Sequence, residues 1–132
     1  MTKPDYRALS RFRAALRRFM RGSENAARSA GVTPAQYQLL LAIKGHASPK
    51  PPTVGEVAEV LQLRPNSVVE LVDRATHAGL VQRRPDPVDA RRQRLVVTEK
   101  GERTLDALSE VQQDELERFR SEVVDTLKID QD

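Results

Sequence analysis

Cysteine is absent from the 132 residues, which excludes a disulfide framework, a thiolate metal site and a thiol redox sensor together. Tryptophan is absent too, and aromatics make up only 4% of the chain. Core volume must therefore come from Leu, Val and Ala. No apolar run approaches the ~18 residues that a membrane-crossing helix needs. The opening stretch MTKPDYRALSRFRAALRRF interleaves arginine with apolar positions and lacks the apolar stretch of a secretory signal. The expected compartment is the cytoplasm, with no membrane partner. No glycine-rich phosphate loop, nucleophile elbow or dinucleotide fingerprint is present. The two histidines, His46 and His77, lie far apart in sequence and lack metal-ligand spacing. An enzyme, a resident cofactor and a metal centre are therefore unsupported.

What the chain does have is charge, unevenly placed. Net charge is +3, but residues 1–30 carry eight basic and two acidic side chains, and 31–63 carry two of each. Residues 64–104 carry nine basic against six acidic, and 105–132 three basic against nine acidic. A basic head and an acidic tail suit each other, and a basic middle suits a polyanion. On charge alone, solvated helix faces without a partner explain the pattern equally well.

Hydrophobic spacing organises the chain. Leu9, Phe12, Leu16 and Phe19 recur at threes and fours, a helical stripe with arginine on the other faces. Gly22-Ser23 is expected to weaken this helix and Gly31 to end the segment. Thr33, Pro34 and Gln36 read as a capped helix start, leading to Gly45. HASPKPP is a loop, because its prolines cannot continue a helix. Thr53 and Glu56 form a second capping box, followed by Val54, Val57, Ala58 and Leu61 on one face. Leu63 and Arg64 make a tight link to Pro65, and Val68, Leu71, Val72 and Ala75 line the next helix, which Gly79 closes. Two short helices so joined match the helix-turn-helix pattern, which many helical proteins contain.

The segment after Gly79 is more specific. Leu80-Val81 opens a strand, Pro85 to Asp89 is a run of turn formers, and Arg94 to Thr98 returns as a second strand. This hairpin carries Arg83, Arg84, Arg91, Arg92 and Arg94 against only Asp86 and Asp89, a surface suited to phosphates. The helix before it would present Arg64, Pro65, Asn66 and Ser67 in its first turn, then Glu70 and Arg74. Such polar side chains read base edges and phosphates in a major groove. The blander role for Asn66 and Ser67 is to cap the helix. Asp89 and Arg91 stand two apart on an extended segment, so Asp89 is placed to orient an arginine toward a minor groove. Leu105, Leu108, Leu116, Phe119, Val123 and Leu127, interrupted by Gln112, form a final long stripe. That stripe needs a partner, and the oppositely charged first helix, of this chain or a second one, is the candidate.

The stretch LRPNSVVELVDRATHAGLVQRRPDPVDARRQRLVVTEKG resembles the MarR (multiple antibiotic resistance regulator) family. The run Asp86-Pro87-Val88-Asp89-Ala90-Arg91 is its most specific part. The resemblance implies a mainly helical winged helix-turn-helix with a small β-hairpin wing. It also implies N- and C-terminal dimerisation helices, here 1–32 and 101–132, around a DNA-binding domain over 33–100. It further implies a homodimer on a pseudo-palindromic duplex site, usually as a repressor, with Arg91 in the minor groove steadied by Asp89. Release by a small aromatic or anionic effector is part of the same picture. The crevice near Phe12, Leu16, Phe19 and Tyr37 is the place expected for that effector. Family recognition helices often carry polar or basic residues where Val69 and Glu70 stand here. The competing reading is a protein-interaction module that uses a winged-helix domain without binding DNA.

Overall fold

The structure, a computed structural model, describes Lys3 and residues 5–131, with side chains as far as Thr126. Five helices and one hairpin follow in order: α1 Tyr6–Ser29, α2 Pro34–Lys44, α3 Val54–Leu61, α4 Pro65–His77, β1 Val81–Pro85, β2 Gln93–Val97 and α5 Glu99–Gln131. β1 and β2 pair antiparallel, in register from Val81 opposite Val97 to Pro85 opposite Gln93. The fold is the mainly helical winged helix-turn-helix that the sequence pattern implies.

Threonines set three of the helix starts. Thr33 and Thr53 each accept from the N–H three residues on, while Gln36 and Glu56 reach back to the cap N–H, completing two capping boxes. Thr98 does more. Its hydroxyl accepts from the Gly101 N–H at 3.1 Å and donates to the Gly79 carbonyl at 2.6 Å. One side chain thus ties the end of α4 to the start of α5. The link between α3 and α4 is tight because Gln62 adopts a left-handed conformation at φ 56°. Its amide donates to the Glu59 carbonyl at 2.7 Å, which helps hold a backbone shape that residues other than glycine rarely adopt.

Leu39 and Leu40 of α2, Val57 of α3, Val68 and Val72 of α4, and Leu80 and Leu95 of the hairpin are at most 1% exposed. They form one core shared by the two short helices and the wing. Fixing the wing to the helices through apolar packing positions it without a long linker.

α1 finds its partner in α5 of the same chain. The Phe12 and Phe19 rings lie 6.0 and 5.4 Å from that of Phe119, within the range of favourable aromatic pairs. Arg18 meets Glu122 at 2.7 Å, the basic head against the acidic tail. Because Arg18 is well exposed, that pair contributes at most about 1 kcal/mol, and the rings do more of the holding. α1 runs unbroken through Gly22-Ser23, where weakening was expected. Gly22 faces α5, and a Cβ there would lie 2.7 Å from the Glu115 carboxyl carbon, so the glycine permits a close approach of the two helices. Leu116 of the second stripe remains 56% exposed, and the Leu127 side chain lies outside the described residues.

Gly22, which faces α5, and Gly101, within α5, differ in what surrounds them. A Cβ on Gly101 would overlap the Leu80 carbonyl and the Val97 side chain, neither free to move. Gly101→Ala should lower the urea-unfolding free energy by about 1–3 kcal/mol. Gly22→Ala meets only the flexible end of Glu115 and gains helix propensity, so it should be neutral or stabilising by up to about 1 kcal/mol. Urea titration of both variants checks the contrast.

Candidate nucleic-acid interface

Because Val68, Val72 and Ala75 turn into the core, a 100° step per residue sends Asn66, Glu70, Asp73 and His77 to the opposite side of α4. Val69 and Arg74 flank that line. All six are exposed, Val69 to 41%. Arg64 is the N-cap residue and makes no side-chain cap bond, and Pro65 occupies the first turn. Asn66 and Ser67 are exposed as well, and the cap position belongs to Arg64, so the capping role weighed for them does not hold. Asp73 on this face is paired with Arg83 of β1, a direct link from the helix to the hairpin. Among the described residues, Arg64, Glu70, Arg74, Arg84 and Arg92 have no ion pair.

The loop of the hairpin is anchored by a carboxylate at the point where it leaves β1. Asp86 is 7% exposed. One of its oxygens accepts from the Val88 N–H at 2.9 Å, and the other from Arg94 Nη2 at 2.9 Å and Nε at 3.2 Å. Arg94 also donates through Nη1 to the Pro51 carbonyl at 2.7 Å and lies 3.9 Å from Glu56. Beside it the Leu95 N–H donates to the Pro52 carbonyl at 2.8 Å, so the chain just before α3 joins the edge of β2. The Val88 N–H and then the Arg94 guanidinium hold the Asp86 carboxyl below its ordinary range. Glu56 is likewise lowered, chiefly by the Thr53 N–H.

Arg94 therefore differs from the other hairpin arginines. Its side chain is 12% exposed, turned inward as a clamp, where the sequence count had placed it among outward phosphate contacts. In the sequence Asp86 stands as a turn former and a counter-charge, with no partner of its own. A carboxylate eight residues before an arginine was the available signal, but hairpin register is needed to see that they meet. Arg91 stands at the other extreme, its side chain 93% exposed and its Nε 3.2 Å from Asp89. Asp89 also accepts from the Arg91 N–H at 3.1 Å, so the tip arginine is steadied at two points. Arg84 and Arg92 are exposed nearby. A groove of about 650 Å³ lined in part by Thr53, Gly55, Arg91 and Arg92 separates the tip from the start of α3.

The four residues expected to form a sensing crevice are not brought together. Phe12 and Phe19 pack on Phe119, and the gap beside Phe19 is only about 10 Å³, too small for a ligand. Leu16 is 38% exposed on α1, whereas Tyr37 is 4% exposed inside the core with Ala27 and Val32. Burial raises the Tyr37 phenol pKa. A roomier cleft of about 490 Å³ lies between α1 and α5, lined by Gly22, Ala26, Ala30, Leu108 and Val111 among others. His46 is 3.4 Å from Glu56, remote from His77 in sequence. Among the described residues no three His, Asp or Glu side chains cluster as metal ligands would, and no helix is long and apolar enough to cross a membrane.

Comparison with known proteins places this geometry. A sequence model of the MarR family matches residues 30–92, from the end of α1 into the wing. The HTH-type transcriptional repressor MdtR of Bacillus subtilis is 36% identical over 72 residues, covering 54% of this chain and 44% of that protein. The chain thus matches less than half the length of that curated relative. Among solved structures, YusO of Bacillus subtilis is 26% identical with a TM-score of 0.63, covering 83% of this chain and 75% of its own. The S. aureus MepR–DNA complex is 20% identical with a TM-score of 0.71 over 90% and 85% of the two chains, a likeness of fold.

The clamp and the tip arginine should separate cleanly in stability measurements. Arg94→Ala strands the Asp86 carboxylate and should lower Tm by roughly 5–10 °C, whereas Arg91→Ala should leave Tm within about 2 °C. Both lowered carboxyls, Asp86 and Glu56, favour the folded state above the ordinary carboxylate pKa near 4. That contribution is lost as pH falls below about 4 through the folded values. The urea midpoint should fall over this window, and Asp86→Asn should flatten part of the slope.

Proposed function

We propose that the chain is a transcription regulator of the MarR family, whose sequence model matches residues 30–92, and that it binds a pseudo-palindromic duplex DNA site as a homodimer, acting as a cytoplasmic repressor. The observation that carries this reading is the pairing of an outward polar face on α4 with an exposed arginine tip, held in one core with it. In this reading residues 33–100 form the DNA-binding unit, and 1–32 with 101–132 the dimerisation helices. Arg64, Pro65, Asn66, Ser67, Glu70 and Arg74 enter the major groove. Arg84 and Arg92 meet phosphates, and Arg91, steadied by Asp89, enters the minor groove. Arg94 acts indirectly, by holding the wing.

Support for dimerisation comes from what α1 and α5 leave uncovered. Tyr6, Leu9, Phe12, Leu16 and Met20 on α1, with Val111, Leu116 and Val124 on α5, are 38–75% exposed. A face so apolar favours burial against a partner, and the acidic tail then lies on the helices that carry the contact, away from the phosphates. Two α4 helices would sit about 34–36 Å apart to reach successive turns of one duplex face. Release by a small aromatic or anionic effector fits the cleft between α1 and α5 better than the crevice first expected.

Binding to a random duplex pool tests the central reading. Affinity should fall roughly a hundredfold or more between about 50 and 200 mM salt if four or more phosphates are neutralised. Arg91→Ala should weaken binding and reduce the salt slope by about 1 per wing. Salt-insensitive or absent retention would favour a protein-docking module. Separately, Leu9→Glu combined with Leu116→Glu should convert a dimer to a monomer in sedimentation. A wild-type chain that sediments as a monomer at micromolar concentration would end the dimer reading.

A further inference from the structure

The exposed face of α4 carries two carboxylates, and the structure treats them differently. Asp73 is neutralised from within the protein by Arg83 of β1. Glu70, one turn earlier on the same line, has no ion pair among the described residues and is exposed. An uncompensated carboxylate entering a groove flanked by two phosphate strands is repelled. A base edge that supplies a donor offsets this repulsion, and in the major groove the amino group of cytosine N4 is the donor that a carboxylate matches.

Its neighbours sharpen the assignment. Asn66 lies four residues earlier on the same side of the helix, where an amide suits the paired acceptor and donor of adenine. Val69, beside Glu70, is 41% exposed on a face otherwise polar. A branched apolar side chain there has a matching surface in the C5-methyl group of thymine. Of the interface arginines, Arg84 and Arg92 meet any sequence alike through phosphates, and Arg91 meets a minor groove whose pattern is degenerate.

Resting on the DNA-binding reading above, we propose that Glu70 is the specificity-determining residue of each half-site, accepting from the N4 amino group of a cytosine, with Val69 against the methyl group of an adjacent thymine. Glu70 thereby subtracts from affinity on every sequence lacking that cytosine. The arginine contacts supply binding, and Glu70 supplies discrimination.

Selection from a random duplex pool, run in parallel on wild type, Glu70→Gln and Glu70→Ala, tests this. Wild type should enrich a C·G pair at one symmetric position of each half-site, preferred about tenfold or more over other pairs. Glu70→Gln should move that preference to adenine, which a glutamine pairs through its own amide, with the remaining positions unchanged. Glu70→Ala should lose preference there while binding random duplex more tightly than wild type, an effect that a purely structural role would not produce. Replacing the adjacent thymine by deoxyuridine should weaken wild type about fourfold, the worth of one buried methyl group. An enriched site identical for wild type and Glu70→Gln overturns the Glu70 assignment and leaves DNA binding standing. No enrichment by wild type overturns both.

Discussion

The wing holds its angle because Asp86, almost wholly buried where β1 gives way to the loop, is shared between the Val88 N–H and the Arg94 guanidinium. A carboxylate taken from water needs donors on both oxygens, and here one comes from the loop and the other from β2. The Val88 N–H shapes the turn that leads to the tip. Arg94 in turn reaches the Pro51 carbonyl, and its neighbour Leu95 hydrogen-bonds Pro52, just ahead of the α3 cap at Thr53. Tip, strand and helix start are thus one hydrogen-bonded unit. If that unit loosened, Arg91 would keep its exposure but lose its place relative to α4.

Two mechanical demands are met by different physics. Positioning of α4 against the wing relies on a dry core of Leu and Val side chains, closed by Thr98 between Gly79 and Gly101. Apolar packing suits this because the interior is dense and resists displacement. Presentation of charge on α4 and the wing tip relies on side chains that the core leaves free. Charge there is graded: Arg83 cancels Asp73, Asp89 steadies Arg91, and Glu70 stands uncompensated. The α1–α5 pair adds a third layer, in which aromatic contacts face inward and an apolar strip remains on the outside.

Much of this was legible in the residues. The Thr33 and Thr53 capping boxes, the left-handed Gly79 and the arginine-rich hairpin all act through neighbours within a few positions, and local spacing reveals them. The places where reading from the sequence failed share one feature, a partner distant along the chain. Gly22 promised only a weaker helix until α5 was seen to pass beside it. Arg94 resembled its neighbours in the hairpin until its side chain was found turned toward Asp86 and Pro51. Phe12, Leu16, Phe19 and Tyr37 looked like one crevice, yet Phe12 and Phe19 serve the α1–α5 contact, Leu16 stays half-exposed on α1 and Tyr37 serves the core.

The sequence alone determined the order of helices, the position of the hairpin and the outward side of α4, since periodicity and capping are short-range properties of the backbone. Only the tertiary structure decided which charges are free and which are consumed. Whether an arginine is a contact or a clamp, and whether a carboxylate is cancelled or exposed, depends on what lies within about 4 Å of it. That distance joins residues such as Pro51 and Arg94, forty-three positions apart, which no spacing rule brings together.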